Sequence, residues 1–225
     1  MKLFRFFLTL SFTSCLNLAY ASPIPHTNNA TPQASASFGN QYLQNALAAS
    51  VQITSRAIEE ASSARTLGKE RLGSGVVIGS DGLILTIGYL ILETEQIEIK
   101  TSQQKTYPAQ VVAYDQATGF GLIKSLVPLQ GVEPVKLGKV NEEKIESSLW
   151  VVSAGQLAVS TPTKLIDIRS FTGYWEYHLD SAIYTSPPAT NHSGAGLFNQ
   201  KGELIGIGSL FVQDVMPADH PSRLA

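Results

Sequence analysis

Residues 73–91, GSGVVIGSDGLILTIGYLI, hold two aliphatic runs divided by Ser80, Asp81 and Gly82. Neither run is long enough to bury the stripe of a helix, and both are rich in Val, Ile and Leu. The segment therefore reads as strand, turn and strand, with Gly82 supplying the positive φ of the reversal. A hairpin of this kind leaves an apolar face in water unless more strands cover it.

The rest of the sequence supplies those strands. SVQITSR (50–56) alternates Val51 and Ile53 with polar neighbours, QIEIK (96–100) and PAQVVAYD (108–115) flank the polar turn TSQQK, and GFGLIKS (119–125) follows. After a Pro- and Gly-punctuated connection at 128–138, the pattern resumes in SSLWVVSAG, KLIDIRSFTG, SAIYTS and GELIGIGSL. About a dozen short strands with frequent turn signals predict an all-β fold of two antiparallel barrels or a sandwich pair. Helix is expected only at NQYLQNALAA (40–49), where Tyr42, Leu43, Ala46 and Leu47 share one face.

The N-terminus has a different character. Lys2 and Arg5 precede a largely apolar stretch, Phe6–Leu18, and the small-residue site AYA (19–21). Residues 1–21 are expected to be a secretory signal peptide removed before Ser22. The apolar run is too short for a membrane span, so none is expected in the mature chain; lipoprotein processing before Cys15 is the alternative. Residues 22–39 carry no Lys, Arg, Asp or Glu and are rich in Pro, Ser, Ala and Asn, so they are expected to form a flexible linker. That leaves 40–225 as the folded part. Cys15 is the only cysteine, and its removal with the leader excludes disulfides, thiol nucleophiles and cysteine-bound metals. The location implied is secreted or periplasmic.

Composition narrows the chemistry. The formal net charge is −2 and no Lys/Arg-rich segment follows the first few residues, so nucleic acid is not an expected partner. No His-x-x-x-His, cysteine cluster or EF-hand loop is present in the sequence, and neither a metal nor a cofactor is expected. The GSG at 73–75 is too short for a phosphate loop and reads as strand glycine.

The loop NHSGAGL (191–197) presents a serine between small residues, the setting of a nucleophile. A serine hydroxyl needs an imidazole to take its proton, a carboxylate to orient that imidazole, and backbone N–H groups to receive the oxyanion. The sequence has four histidines, His26, His178, His192 and His220. His26 lies in the expected linker, and His220 near the end of the sequence. His192 adjoins Ser193, and adjacent side chains diverge. His178, in YWEYHLD, is the remaining candidate base. The aromatic stretch FTGYWEYH (171–178) is either a recognition platform or strand packing.

Three blocks, GSGVVIGSDGLILT, YPAQVVAYDQATGFGLIK and SGAGLFNQKGELIGIG, occur in this order. Through them the chain, from Ser50 to about Leu210, resembles the trypsin-fold serine proteases of the HtrA/Deg type. The resemblance implies two β-barrels, about 50–127 and 134–225, with a catalytic triad between them. Tyr89 stands at the histidine position and Gly119 at the aspartate position; only Ser193 matches. Asp115 matches an ordinary turn aspartate of the family. Asn191 replaces a glycine of the oxyanion loop, His192 follows it, and Ala195 and Gly196 stand where the family has Gly-Pro. The counterpart of the strand aspartate, Asp180, lies thirteen residues before Ser193, giving a longer loop that contains Pro187 and Pro188.

The resemblance also implies that the family's substrate-bearing edge falls at GIGSL (206–210), so Ile207, Gly208 and Ser209 form the candidate edge for an extended peptide. The family continues past the equivalent of residues 211–225 with a strand and helix, so the second barrel is expected to be truncated and incompletely packed. Losing the histidine of a triad costs on the order of 10⁶ in turnover. The expectation is an exported pseudoprotease retained for peptide or protein binding, of unassigned oligomeric state. The alternatives are an active serine endopeptidase using Ser193 with a rearranged base, and a structural module of an envelope assembly.

Overall fold

The structure is a computed structural model and describes residues 33–155, 158–172 and 178–212. The expected signal peptide, residues 22–32 of the expected linker, His26, His220 and residues 173–177 of the aromatic stretch lie outside the described residues.

Helix α1 (Gln33–Ala49) starts seven residues before the expected helix, within the stretch read as a linker, and the linker expectation is corrected for 33–39. The reason lies in composition. Pro32 is the last proline of the leader region, and from Gln33 to Ala49 there is neither proline nor a β-branched residue. β-Branched residues return at Val51, where β1 (Ser50–Ala57) is under way.

A short helix, α2 (Ala64–Leu67), leads to β2 (Glu70–Val77) and β3 (Leu83–Ile87). Then follow β4 (Thr94–Lys100), β5 (Thr106–Tyr114) and β6 (Phe120–Ser125). These six strands close into an antiparallel barrel in the order β1-β2-β3-β6-β5-β4. Gly82 turns β2 into β3 with φ +81°, as the Ser-Asp-Gly signal requires. Ile53, Ile84, Ile99 and Ile123 are fully buried inside.

The second sheet contains β7 (Ser148–Ser153), β8 (Val159–Thr172), β9 (His178–Ser186), β10 (Gly196–Phe198) and β11 (Leu204–Ile207). Its order is β11-β10-β7-β8-β9, and among the described residues it is an open half-barrel. Strand β10, only three residues long, is too short to stand out in the sequence. The two barrels of the trypsin fold are thus present as one closed barrel and one half-barrel.

Two seams join them. On one, Ala46 of α1 packs with Val76 of β2, Val152 of β7, Phe198 of β10 and Leu204 of β11. On the other, the Ser193 loop lies against β2. The Ser74 N–H donates to the Ser193 carbonyl at 2.9 Å, and the Ala154 N–H donates to Ser74 Oγ at 2.9 Å. Thr86 Oγ1, fully buried, donates to the Ser74 carbonyl at 2.7 Å. Gly194, with φ +71°, sits so close to β2 that a β-carbon there would stand 2.0 Å from the Ser74 carbonyl oxygen.

Two outcomes follow for stability. Phe198→Ala empties the centre of the first seam and lowers the unfolding free energy by about 3–5 kcal/mol. Gly194→Ala combines a left-handed backbone with a clash against main chain, and costs about 3 kcal/mol or more. In urea unfolding both lower the midpoint with an unchanged slope.

Candidate functional site

The loop between β9 and β10 carries Ser193. Its last turn closes by the Ala195 N–H donating to the His192 carbonyl at 3.0 Å. The Ser193 carbonyl is fixed by Ser74, and the Gly194 N–H donates to the Gly208 carbonyl at 2.9 Å. Gly73, read as an ordinary strand glycine, has a specific reason to be one: a β-carbon there would stand 2.9 Å from the Ser193 carbonyl oxygen. Around Ser193 the bonds are main chain, while the start of the loop is held by Thr163 Oγ1 donating to the Pro187 carbonyl at 2.9 Å. The half-buried Ser193 side chain has no hydrogen bond to any described residue.

The structure places Tyr89 and Gly119 on adjoining turns of the closed barrel. Tyr89 lies in a 3₁₀ turn, Gly88–Leu90, directly after β3. The Gly88 N–H donates to the Gly119 carbonyl at 2.7 Å, which ties the Tyr89 turn to Gly119 through main chain. Tyr89 packs against the first-barrel core, and its hydroxyl donates to the Ser209 carbonyl at 3.0 Å, across from one barrel to the other.

Arg71 anchors the Tyr89 turn from behind. Nearly fully buried, it donates through Nη1 to the carbonyls of Tyr89 at 3.0 Å and Leu92 at 2.5 Å. Its Nη2 donates to Ser63 Oγ at 2.8 Å. Burial lowers the Arg71 pKa, and the nearby Glu93 carboxylate opposes that effect. Sequence reading gave no role to Arg71, because a single arginine in a strand carries no signal of the loop it holds.

Gly119 has φ +75° and no side chain to orient a base. The nearest carboxylate in sequence, Asp115, is engaged within its own turn. It accepts from the Thr118 hydroxyl at 2.7 Å and the Ala117 N–H at 3.0 Å. The Thr118 hydroxyl first, and then the Ala117 N–H, hold its carboxyl below the usual carboxylate range.

Neither described imidazole bonds to Ser193. His178 is exposed at the start of β9, with Nδ1 2.9 Å from Thr172 Oγ1 and Nε2 3.4 Å from Asp180 Oδ1. His192 is half-buried, and the bond it makes in the loop is through its carbonyl. Asn191 is exposed and is not among the residues with left-handed backbone. Among the described residues no group of His, Cys, Asp or Glu is arranged to hold a metal ion. No helix there is long and apolar enough to cross a membrane.

Beside the serine loop a cavity of about 490 Å³ opens into the half-barrel. Val151, Ile183, Ala195, Leu197 and Ile205 line it, with His192 and Ser209 on its walls, whereas Ser193 is not a wall residue. The strand after β10 forms its other margin. Gly208 engages both its main-chain groups with the serine loop, its N–H donating to the Ala195 carbonyl at 2.7 Å and its carbonyl accepting from Gly194. β11 ends at Ile207, and beyond Gly208 the Ser209 carbonyl accepts from the Tyr89 hydroxyl. A β-carbon at Gly208 would stand 2.2 Å from the His192 carbonyl oxygen, so a glycine is needed there.

Known proteins share this arrangement. The family model described as a trypsin-like peptidase domain matches residues 73–207, more than half of the chain. The probable periplasmic serine endoprotease DegP-like of Ectopseudomonas mendocina (strain ymp) is 30% identical over 146 residues, covering 62% of this chain and 29% of that protein. The mitochondrial serine protease HTRA2 of Drosophila pseudoobscura pseudoobscura is 28% identical over 149 residues, covering 62% of this chain and 34% of that protein. The chain thus spans about a third or less of the length of these curated relatives.

Among solved structures, the active form of the Rv3671c protease from M. tuberculosis superposes with a TM-score of 0.64 at 18% identity, over 88% of this chain and 86% of that one. The HtrA-type protease AlgW with a tripeptide superposes with a TM-score of 0.63 at 20% identity, over 75% of this chain and 53% of that one. At these identities the superpositions speak for the fold, and the family assignment rests on the sequence match. The chain belongs to the trypsin-like peptidase domain family, has the trypsin fold, and is similar in sequence to HtrA- and DegP-type proteases.

Proposed function

We propose that this protein is an exported, periplasmic or secreted pseudoprotease that holds extended peptides in its cleft without cleaving them. The observation that carries the reading is the proton inventory around Ser193: no described imidazole or carboxylate is hydrogen-bonded to its hydroxyl. A phenol ionises near pH 10, and the Tyr89 hydroxyl is directed at the Ser209 carbonyl instead of the serine. The loss of a base costs on the order of 10⁶ in turnover, about 8 kcal/mol of barrier, and nothing at Gly119 compensates for it.

The binding half of the proposal rests on main chain. Adding a strand beside Ile207–Ser209 needs outward N–H and C=O groups and no triad. The structure holding a tripeptide, that of AlgW, shares the fold. The apolar cavity beside the edge gives side chains of such a peptide a place to enter. The reading needs neither metal nor cofactor.

A fluorophosphonate probe tests the catalytic half on the full chain. Expected is labelling no greater than that of Ser193→Ala; labelling that disappears in Ser193→Ala establishes an active nucleophile and overturns the reading. Ile207→Pro removes one outward N–H, and is expected to weaken capture of peptides from a random library while the far-ultraviolet circular dichroism stays unchanged.

A further inference from the structure

The two sheets share one strand order, and the second is one strand short of the first. In the closed barrel β6 is held on both sides, by β3 over Leu83–Ile87 and by the second half of β5 from Ala109 to Tyr114. Without β6 that barrel would read β5-β4-β1-β2-β3. The second sheet reads β11-β10-β7-β8-β9, the same succession of its own fifth, fourth, first, second and third strands. Among the described residues no strand stands between β9 and the chain beyond β11, the place that β6 fills in the first barrel.

The walls of this gap have the character of an interior. β9 contributes Leu179 and Ile183 to the cavity of about 490 Å³, and the stretch after β11 contributes Leu210 and Phe211. These last two are 45% and 58% exposed. The free side of the chain begins beyond Leu204, whose N–H and carbonyl are bonded to the Lys136 carbonyl and the Gly138 N–H, each at 2.8 Å. The first barrel divides its fifth strand in a similar way: β5 pairs with β4 up to Ala109 and with β6 from there on.

We infer that a partner polypeptide completes the half-barrel by donating one strand, an extended segment about as long as β6 that runs antiparallel between β9 and residues 208–212. The inference rests on the strand-addition reading above and gives that edge a second wall. Such a segment is bonded through main chain on both sides, and places apolar side chains inward at alternate positions. β6 shows the pattern, with Gly121, Ile123 and Ser125 buried and the residues between them more exposed. Charge narrows the class further. The cavity walls hold the Asp180 carboxylate and the imidazoles of His178 and His192 but no Lys or Arg among the described residues, so an acidic segment meets no lysine or arginine there. Residues 213–225, QDVMPADHPSRLA, do not fit the description. Pro217 and Pro221 lack the N–H that a strand paired on both sides supplies, and no five consecutive residues alternate in apolar side chains.

The test uses the full chain and a fluorescein-labelled nine-residue peptide of alternating lysine and valine, with affinity read by anisotropy. A peptide of the same composition with its valines and lysines in separate blocks is expected to bind about tenfold more weakly, having no apolar face. In an extended peptide the valine N–H groups face one edge and the lysine N–H groups the other. N-methylation of a central valine or of a central lysine is therefore expected to weaken binding about fivefold in either case, the worth of one hydrogen bond. Leu179→Asp on β9 and Phe211→Asp beyond β11 are each expected to weaken it by about tenfold or more. Phe211 is exposed, so its variant keeps the fold even where Leu179→Asp does not, and thermal unfolding checks both.

Weakening by only one of the two N-methyl groups overturns the insertion and leaves addition at a single edge standing. Equal binding of alternating and block peptides overturns the insertion as well, because charge alone then accounts for it. Failure of every peptide to bind overturns both readings. Tighter binding by Val215→Asp/Met216→Asp identifies residues 213–225 as the occupant and overturns donation by a partner. A dimer of the free chain that the peptide converts to monomer also overturns it, by naming a second copy as the donor.

Discussion

The hydrogen bond from the Ser74 N–H to the Ser193 carbonyl is the contact on which the cleft depends. It joins a strand of the closed barrel to the serine loop of the half-barrel, and uses no side chain of either residue. Around it, Gly73 and Gly194 permit an approach that a β-carbon would block, and Thr86 donates to the Ser74 carbonyl from inside. Ser74 Oγ then reaches Ala154 at the end of β7, so one residue ties β2 to two parts of the second sheet. A serine held in this way keeps its place irrespective of what stands at positions 89 and 119.

This independence means that the cleft does not need particular side chains at positions 89 and 119 to keep its shape. In a triad, the side chains supply the proton transfer, whereas their placement comes from strands, turns and main-chain bonds. Here the placement persists: Gly88 and Gly119 are bonded to each other, and the Tyr89 turn follows β3 directly. The phenol at position 89 fills space against the first-barrel core and finds an acceptor on the opposite barrel. A bond across the cleft is a different use of that position from proton exchange with Ser193.

Much of this was legible in sequence because it depends on local rules. The Ser-Asp-Gly turn, the alternation in β1 and the Val/Ile/Leu runs of β2, β3 and β6 follow from side-chain period and turn chemistry, and the three family blocks pointed to the trypsin fold. The helix start was placed too late because residues 33–39 resemble linker by composition, while the absence of proline and β-branched residues was the stronger signal. Strand β10 escaped notice because three residues carry no period. Arg71, Ser74 and the Tyr89–Ser209 bond were not legible at all. Each depends on residues far apart in the chain that meet only after the sheets have formed, and neither a buried arginine nor a strand serine announces its partner.

Gly119 shows why placing an aspartate at that position is more than a matter of one substitution. Its φ of +75° is a conformation that glycine adopts freely and that a residue with a β-carbon resists. Space is not the obstacle, since the nearest atom to a β-carbon there would be Ile87 Cδ1 at 3.8 Å. The obstacle is the backbone itself, which is held by the Asp115 carbonyl accepting from the Gly119 N–H and by the Gly119 carbonyl accepting from Gly88. An aspartate placed at 119 must either sit in the left-handed region at a cost of about 1–2 kcal/mol or loosen the bond that aligns the Tyr89 turn. The turn has settled around the missing carboxylate: Asp115 is committed to Thr118 and Ala117, and the glycine conformation depends on that commitment. The main-chain path from Asp115 through Gly119 to the Tyr89 turn thus has a conformation that suits a glycine at its centre.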